Sequence, residues 1–462
     1  MQPEGSGEDP GPSDSRTEEP SEGAMSNRIL IGLAALVGAG FVAFFGGAFS
    51  SSPSTPATAL AGSQSAEDFK AGFALNASTA QLVASLQSTL QVKPTDEHSW
   101  ALLGLAYQQR ARETGDPSYY TKAGGALQQA LELDSKDYLV YSGLGSLALS
   151  RHRFRQALTL GERAHALAPK IAMNYGVVGD ALIELGRYPQ AFRTFDEMVH
   201  IQPSLTSYSR ISYARELLGR TGTAIKAMKL AVDAATDTKE PLAWTHVQLG
   251  KLYLGHGRYV DAAREEMLAL AIFPGYAYGL DALAQTRAAE GRYARAISLE
   301  RQAVNAIPLP QYVSFLGDLY RVTGRPVLAQ RQYALIGAID RLLQANGVRT
   351  DVDIALFQAD HGIRLGQALS RARVGRAERP SIDGDDVLAW TLERNGRCAE
   401  ALRYSKLALH LGTQDALKFF HRGMIERGLD HTASARAWFS RALELNPHFS
   451  LLWTPVAEEY AR

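Results

Sequence analysis

Residues able to do chemistry are thinly spread along this 462-residue chain. Eleven histidines (His98, His152, His165, His200, His246, His256, His361, His410, His421, His431 and His448) show no HxH, HxxxH or HExxH spacing. Such spacings set two imidazoles toward one metal ion. The single cysteine, Cys398, follows Gly396-Arg397 where other parts of the chain place Tyr188, Tyr259 and Tyr293. It therefore holds a packing position, and alone it excludes an internal disulfide. There is no glycine-rich phosphate loop, dinucleotide fingerprint or nucleophile elbow. The sequence predicts no enzyme, no metal and no cofactor. Lys plus Arg and Asp plus Glu both total 48, and this balance points away from a nucleic-acid partner.

The periodicity of the chain is more informative. In Ala172–Leu205, Val177, Val178, Ala181, Leu182 and Leu185 fall at helical spacing before Gly186. Ala191, Phe195, Met198 and Val199 do so after it, and Pro203 stops the second helix. Gly186 suits the left-handed turn between the two helices, and small Gly179 and Ala191 let them approach closely. The turn glycine recurs at Gly219, Gly257, Gly291, Gly324, Gly362 and Gly396, in steps of 33 to 38 residues. A small residue follows each at Ala224, Ala262, Ala296, Ala329, Ala368 and Ala401. A terminal proline recurs at Pro169, Pro203, Pro274, Pro308, Pro380 and Pro447. A hairpin of this kind cannot bury its apolar faces alone and needs copies on both sides.

This pattern resembles the tetratricopeptide repeat (TPR). Trp100, Leu103, Gly104 and Tyr107 match the opening of one copy. Tyr175, Gly179, Ala191, Phe195 and Pro203 match another, and Phe419, Gly423, Ala435, Phe439, Ala442 and Pro447 match the last. Arg287 and Gln358 stand where Tyr is usual, and Asp430 replaces the turn glycine. The resemblance implies an all-α fold, a right-handed α-solenoid of about ten helical hairpins over residues 95–450. A capping helix is expected at 77–94, where Ser78 and Gln81 make a capping box, and another at 451–462, with Trp453 and Val456 facing the last hairpin. Two glycine steps, Gly219 to Gly257 and Gly324 to Gly362, are long by about one helical turn. The extra residues are expected at the ends of second helices, near Val232–Glu240 and Ala338–Gly347, as ledges or as cover for a seam.

Three segments precede the array. Residues 1–28 hold seven acidic residues against Arg16 and Arg28, with almost nothing apolar to bury, and read as a disordered acidic tail. Met25 offers a second start. Residues 29–49 form an uncharged apolar run long enough to cross a bilayer as one helix, with a cleaved signal peptide as the alternative. Ala35, Ala39, Ala43 and Gly47 lie four apart, a face on which two such helices could self-associate. Arg28 sets the N-terminus in the cytoplasm and the repeats outside. Residues 50–76 read as a Ser/Pro/Ala/Thr linker.

Chemistry is thus replaced by surface. In TPR arrays the first helix of each copy lines a concave groove. The resemblance carries that role to Asp180, Tyr213, Glu216, Lys251, Gln285, Asp318, Arg321, Trp390 and Glu393. The chaperone-tail carboxylate clamp is absent, since its positions hold Val177, Arg210, Gln248, Ala282 and Phe315. The reading is a membrane-anchored scaffold that binds a protein or peptide partner in this groove. The alternative, an accessory subunit of a membrane transport or enzyme system, rests on Gly412–Ser450. That stretch resembles a bacterial TPR subgroup associated with membrane metal uptake.

Overall fold

A computed structural model describes residues 78–235 and 239–462. The acidic tail, the apolar run at 29–49 and the linker lie outside the described residues. Among the described residues there are only helices, 22 of them, and no strands. No described helix is long and apolar enough to cross a membrane.

The first helix, α1 (Thr79–Val92), stands alone. Its N-terminus carries the expected capping box: the Ser78 amide donates to Gln81 Oε1 at 2.7 Å, and the Gln81 amide donates to Ser78 Oγ at 3.3 Å. Leu82, Leu86 and Leu90, one per turn, bury its inner face. Ten antiparallel hairpins follow. They are α2 (Glu97–Thr114) with α3 (Ser118–Leu133), α4 (Tyr138–Ser150) with α5 (Phe154–Leu167), α6 (Ala172–Glu184) with α7 (Tyr188–Ile201), α8 (Leu205–Leu217) with α9 (Thr221–Asp233) and α10 (Lys239–Leu254) with α11 (Tyr259–Ile272). Next come α12 (Ala277–Ala289) with α13 (Tyr293–Ala306), α14 (Pro310–Val322) with α15 (Pro326–Ala345), α16 (Asp351–His361) with α17 (Leu365–Glu378), α18 (Ile382–Arg394) with α19 (Cys398–Ala408) and α20 (Ala416–Arg427) with α21 (Thr432–Leu445). The last helix is α22 (Thr454–Ala461). It begins later than the sequence suggests because Pro455 sits in its first turn, but Trp453 and Val456 do pack on the final hairpins.

Each hairpin closes as its residues dictate. All seven turn glycines take positive φ, and Asp430 and His152 adopt the same left-handed conformation in their own turns. Ala191, Ala224, Ala262, Ala296, Ala368 and Ala401 are fully buried at the helix crossings. Gly179 faces Phe195 so closely that a Cβ there would lie 2.2 Å from the ring. Gly317 and Gly423 face Tyr333 and Phe439 in the same way. A glycine against an aromatic ring brings the two helices together in three copies.

The solenoid then returns on itself. Four consecutive hairpin turns in the first half stack on four consecutive inter-hairpin loops in the second half. His152 Nδ1 bonds the Arg349 carbonyl at 2.8 Å, and the Arg349 amide donates to the Arg151 carbonyl at 3.2 Å. The Ile382 amide donates to Tyr188 Oη at 2.7 Å. Thr413 Oγ1 donates to the Leu217 carbonyl at 2.5 Å. Asn446 Nδ2 donates to the Leu254 carbonyl at 3.0 Å and Tyr259 Oη to Asn446 Oδ1 at 2.7 Å. Sequence separations of 187 to 197 residues across these side-chain contacts define one superhelical turn.

The second of the two long glycine steps serves this closure. The extra residues of the second lengthen α15 to 20 residues, against 14 in α13. Its end buries Ile339 and Leu343 and leads to the Gly347–Arg349 seam. The first extension is placed differently from the sequence expectation. It does not prolong α9, which ends at Asp233, but lengthens α10 to 16 residues at its N-terminus. There Glu240 accepts from Gln109 Nε2 at 3.3 Å and from Tyr276 Oη at 2.8 Å, tying the fifth hairpin to the first.

The seam separates two otherwise equivalent turns. A Cβ on Gly291 (φ +75°) would meet nothing within 4 Å, whereas one on Gly219 (φ +67°) would lie 2.2 Å from the Gly412 carbonyl oxygen. Gly291→Ala is therefore expected to cost about 1–2 kcal/mol for the left-handed backbone alone. Gly219→Ala must also push the two superhelical turns apart and should cost at least about 1 kcal/mol more. Equal urea midpoints for the two variants would rule out the seam.

Candidate binding face

In each hairpin the first helix is the more buried of the two. In α18 every residue from Gly384 to Leu392 is buried. Two of the nine groove candidates are therefore interior framework. Trp390 is 0% exposed: it stacks on His421 at 4.4 Å, meets Trp453 edge-on at 5.4 Å, and its Nε1 donates to Asp360 Oδ1 at 2.8 Å. Asp180, 2% exposed, receives Arg210 Nε at 2.9 Å and Nη2 at 2.7 Å. Burial pushes the Asp180 carboxyl up and Arg210 pulls it back. The expectation that Trp390 and Asp180 offer themselves to a partner is corrected by these contacts. The next hairpin's first helix covers each of them, α8 over Asp180 and α20 over Trp390, and the C-terminal segment adds Trp453.

The structure gathers Tyr213 and Glu216 beside a charge network that the sequence did not single out. Arg379, just after α17, pairs with Glu184 of α6 across the seam, with Nη2 3.1 Å from Glu184 Oε1 and 3.4 Å from Asp383 Oδ2. Lys418 Nζ lies 3.0 Å from Asp383 Oδ1 and 2.6 Å from Asp415 Oδ2. Burial pushes Glu216 up to about 7, and the Asp415 carboxylate adds to the shift despite Lys418. The Tyr213 hydroxyl is pushed well up by burial and by the Asp383 and Glu184 carboxylates. The run of acids opening α18 (Asp383, Asp385, Asp386) is the one signal in the sequence that marked this region.

The remaining candidates fall into separate groups. Burial raises the carboxyls of Asp281, Glu266 and Glu300. Lys251 opposes the rise at each, after the Thr286 hydrogen bond at Glu266, while at Glu300 the Asp281 carboxylate adds to it more strongly than Lys251 offsets it. Gln285 Nε2 donates to both Asp281 oxygens at 2.9 Å. Asp318 Oδ1 accepts from Tyr333 Oη at 2.6 Å and lies 2.8 Å from His361 Nε2, while Arg321 is exposed. Glu393 is half-buried, and burial raises its carboxyl. Cys398 packs against Gly428, where a Cβ would lie 2.3 Å from its sulfur. Among the described residues no three His, Cys, Asp or Glu side chains converge as a metal site.

No family model and no curated protein matches the chain. Among solved structures, it is similar to a human IFIT1 dimer bound to PPP-AAAA, with 13% identity over 83% of this chain and 91% of that one, at a TM-score of 0.46. The APC/C hetero-tetramer Cut9–Hcn1 is 16% identical over 86% of this chain and 84% of the other, at 0.38. TTC0263, a thermophilic TPR protein of Thermus thermophilus, is 23% identical over 44% of this chain and 99% of its own, at 0.36. With ten helical hairpins closed by left-handed turns and small residues at their crossings, the chain has a TPR-type fold.

Proposed function

We propose that this protein is a scaffold that binds a protein partner and is held at a membrane by residues 29–49, with its repeats on the extracytoplasmic side. Two of the inner-face candidates, Asp180 and Trp390, are covered by the protein's own side chains, and the partner is assigned to the outer, second helices. One observation carries this reading. Leu230 and Leu268 stand at the same register on α9 and α11, eleven residues after Gly219 and Gly257, and are 48% and 43% exposed, with Met267 beside Leu268 at 48%. Apolar side chains recurring in water at one repeat register suit a partner that tracks the repeats.

The test is capture from native membranes by the full chain. Leu230→Glu with Leu268→Glu should weaken capture by about tenfold or more, because exposed apolar anchors carry binding energy while the fold does not depend on them. Unchanged capture by the double variant would remove the outer face from consideration. The membrane part is tested separately: the full chain should resist carbonate extraction, and deletion of residues 29–49 should release it. A soluble mature form beginning near Gly62 would show a cleaved signal instead.

A further inference from the structure

Three departures from repeat regularity meet at one place. In seven hairpins an arginine directly follows the left-handed turn residue and stands at the first position of the second helix's N-terminus with φ between −86° and −115°. In the α16–α17 hairpin one extra residue, Ile363, is inserted after Gly362, and the arginine at the equivalent position, Arg364, is driven to φ +48°. That conformation is costly for a residue with a Cβ. The second departure is the prolonged α15. The third is Gln358, which stands where sister copies place Tyr253 and Tyr320.

Together these leave a cavity of about 480 Å³ between α15, α16 and the start of α17. Its volume lies within the range of small-ligand sites, roughly 300–1,000 Å³. Ile336, Ile354 and Phe357 supply an apolar wall. Arg341, Arg364 and Arg371 supply the charge. Arg371 is bound to Asp340, with Nη2 2.7 Å from Oδ2, and Asp340 is further satisfied by Thr350 and Gln344. Arg341 and Arg364 are exposed, and among the described residues neither is ion-paired. Gln358 lines the same cavity at 7% exposure, and its Oε1 has no hydrogen-bond partner. An uncapped helix N-terminus at the cavity edge adds partial positive charge. Two unpaired guanidiniums, a helix N-terminus and an apolar wall are complementary to one kind of molecule; Gln358 Oε1, a hydrogen-bond acceptor, takes no part in holding its charge.

We propose that this cavity binds a small organic anion: a carboxylate or phosphate monoester carried on an aromatic or aliphatic body. The anionic head lies between Arg341 and Arg364 and the body lies on Ile354 and Phe357. The inserted residue and the strained arginine are then features of a site, not irregularities of the array.

The test uses the full chain in lipid nanodiscs, with empty nanodiscs as blank and ligand-observed saturation-transfer NMR as readout. The probes are phenylpropanoate, phenyl phosphate, phenylpropylammonium and inorganic phosphate. At least one aromatic anion should bind, and the cation should not. Tighter phenyl phosphate assigns a phosphate ligand; tighter phenylpropanoate assigns a carboxylate. Arg341→Ala with Arg364→Gly should weaken the preferred anion at least about tenfold, since two charge-assisted contacts are lost. Glycine keeps the positive φ at 364, so the hairpin should fold, and an unchanged far-ultraviolet circular dichroism spectrum verifies it. The proposal is overturned if the cation binds as well as the anions, or if inorganic phosphate matches phenyl phosphate. It is overturned equally if the double variant binds as wild type, or if no aromatic anion binds up to about 10 mM, a free energy near −3 kcal/mol.

Discussion

Trp390→Ala is expected to lower stability by about 3–5 kcal/mol, the usual cost of emptying a large aromatic site in a packed core. The indole is fully buried among Phe420, His421 and Trp453. Its loss also removes one of two indole donors to Asp360, leaving Trp453 Nε1 at 3.1 Å. Asp360 already sits with its carboxyl raised by burial, so it tolerates the loss of a donor poorly. Arg321→Ala, at a candidate position that is exposed, should stay within about 0.5 kcal/mol of wild type. Thermal unfolding followed by circular dichroism separates the two. A Trp390→Ala midpoint equal to that of Arg321→Ala would return the indole to the solvent-facing groove in which repeat register alone places it.

Arg379→Ala should be comparably damaging, by about 3–5 kcal/mol near pH 8, because it leaves buried Glu184 without its guanidinium and beside half-buried Asp383, which keeps Lys418. Burial sets Glu184 at about 7, with Arg379 opposing the shift and Asp383 adding to it. The folded-state value thus lies above the ordinary 4.5. The neutral acid is favoured by folding, and the stability it contributes is lost as pH rises through about 7. Removing Arg379 takes away the group that favours the carboxylate. The deficit of Arg379→Ala should therefore be greatest at pH 8 and shrink toward pH 5.5, where Glu184 is protonated. Adding Glu184→Gln should recover much of the deficit at pH 8 and flatten its pH dependence. Urea midpoints at the two pH values measure this, and a deficit independent of pH would show that the seam is not held by the Glu184–Arg379 pair.

What the sequence determined by itself was the hairpin and its repetition. Gly186 and its sisters require positive φ, Ala191 and its sisters require close helix crossings, and Ser78 with Gln81 closes a helix N-terminus within a single turn. All of these are local relations within about 35 residues, where residue type constrains geometry directly. The small pitch and rotation of each hairpin were not legible, and they accumulate over many copies. Only the tertiary structure decided that residues near 190 apart meet, that His152, Tyr188, Leu217 and Tyr259 abut the second half of the chain, and that Arg379 finds Glu184. The fate of two groove candidates was decided between neighbouring hairpins. Register carried Trp390 and Asp180 to a groove, but which side chains of the next hairpin and of the C-terminal segment fold over them is a matter of packing. Arg210 covers Asp180, and Phe420, His421 and Trp453 cover the Trp390 indole.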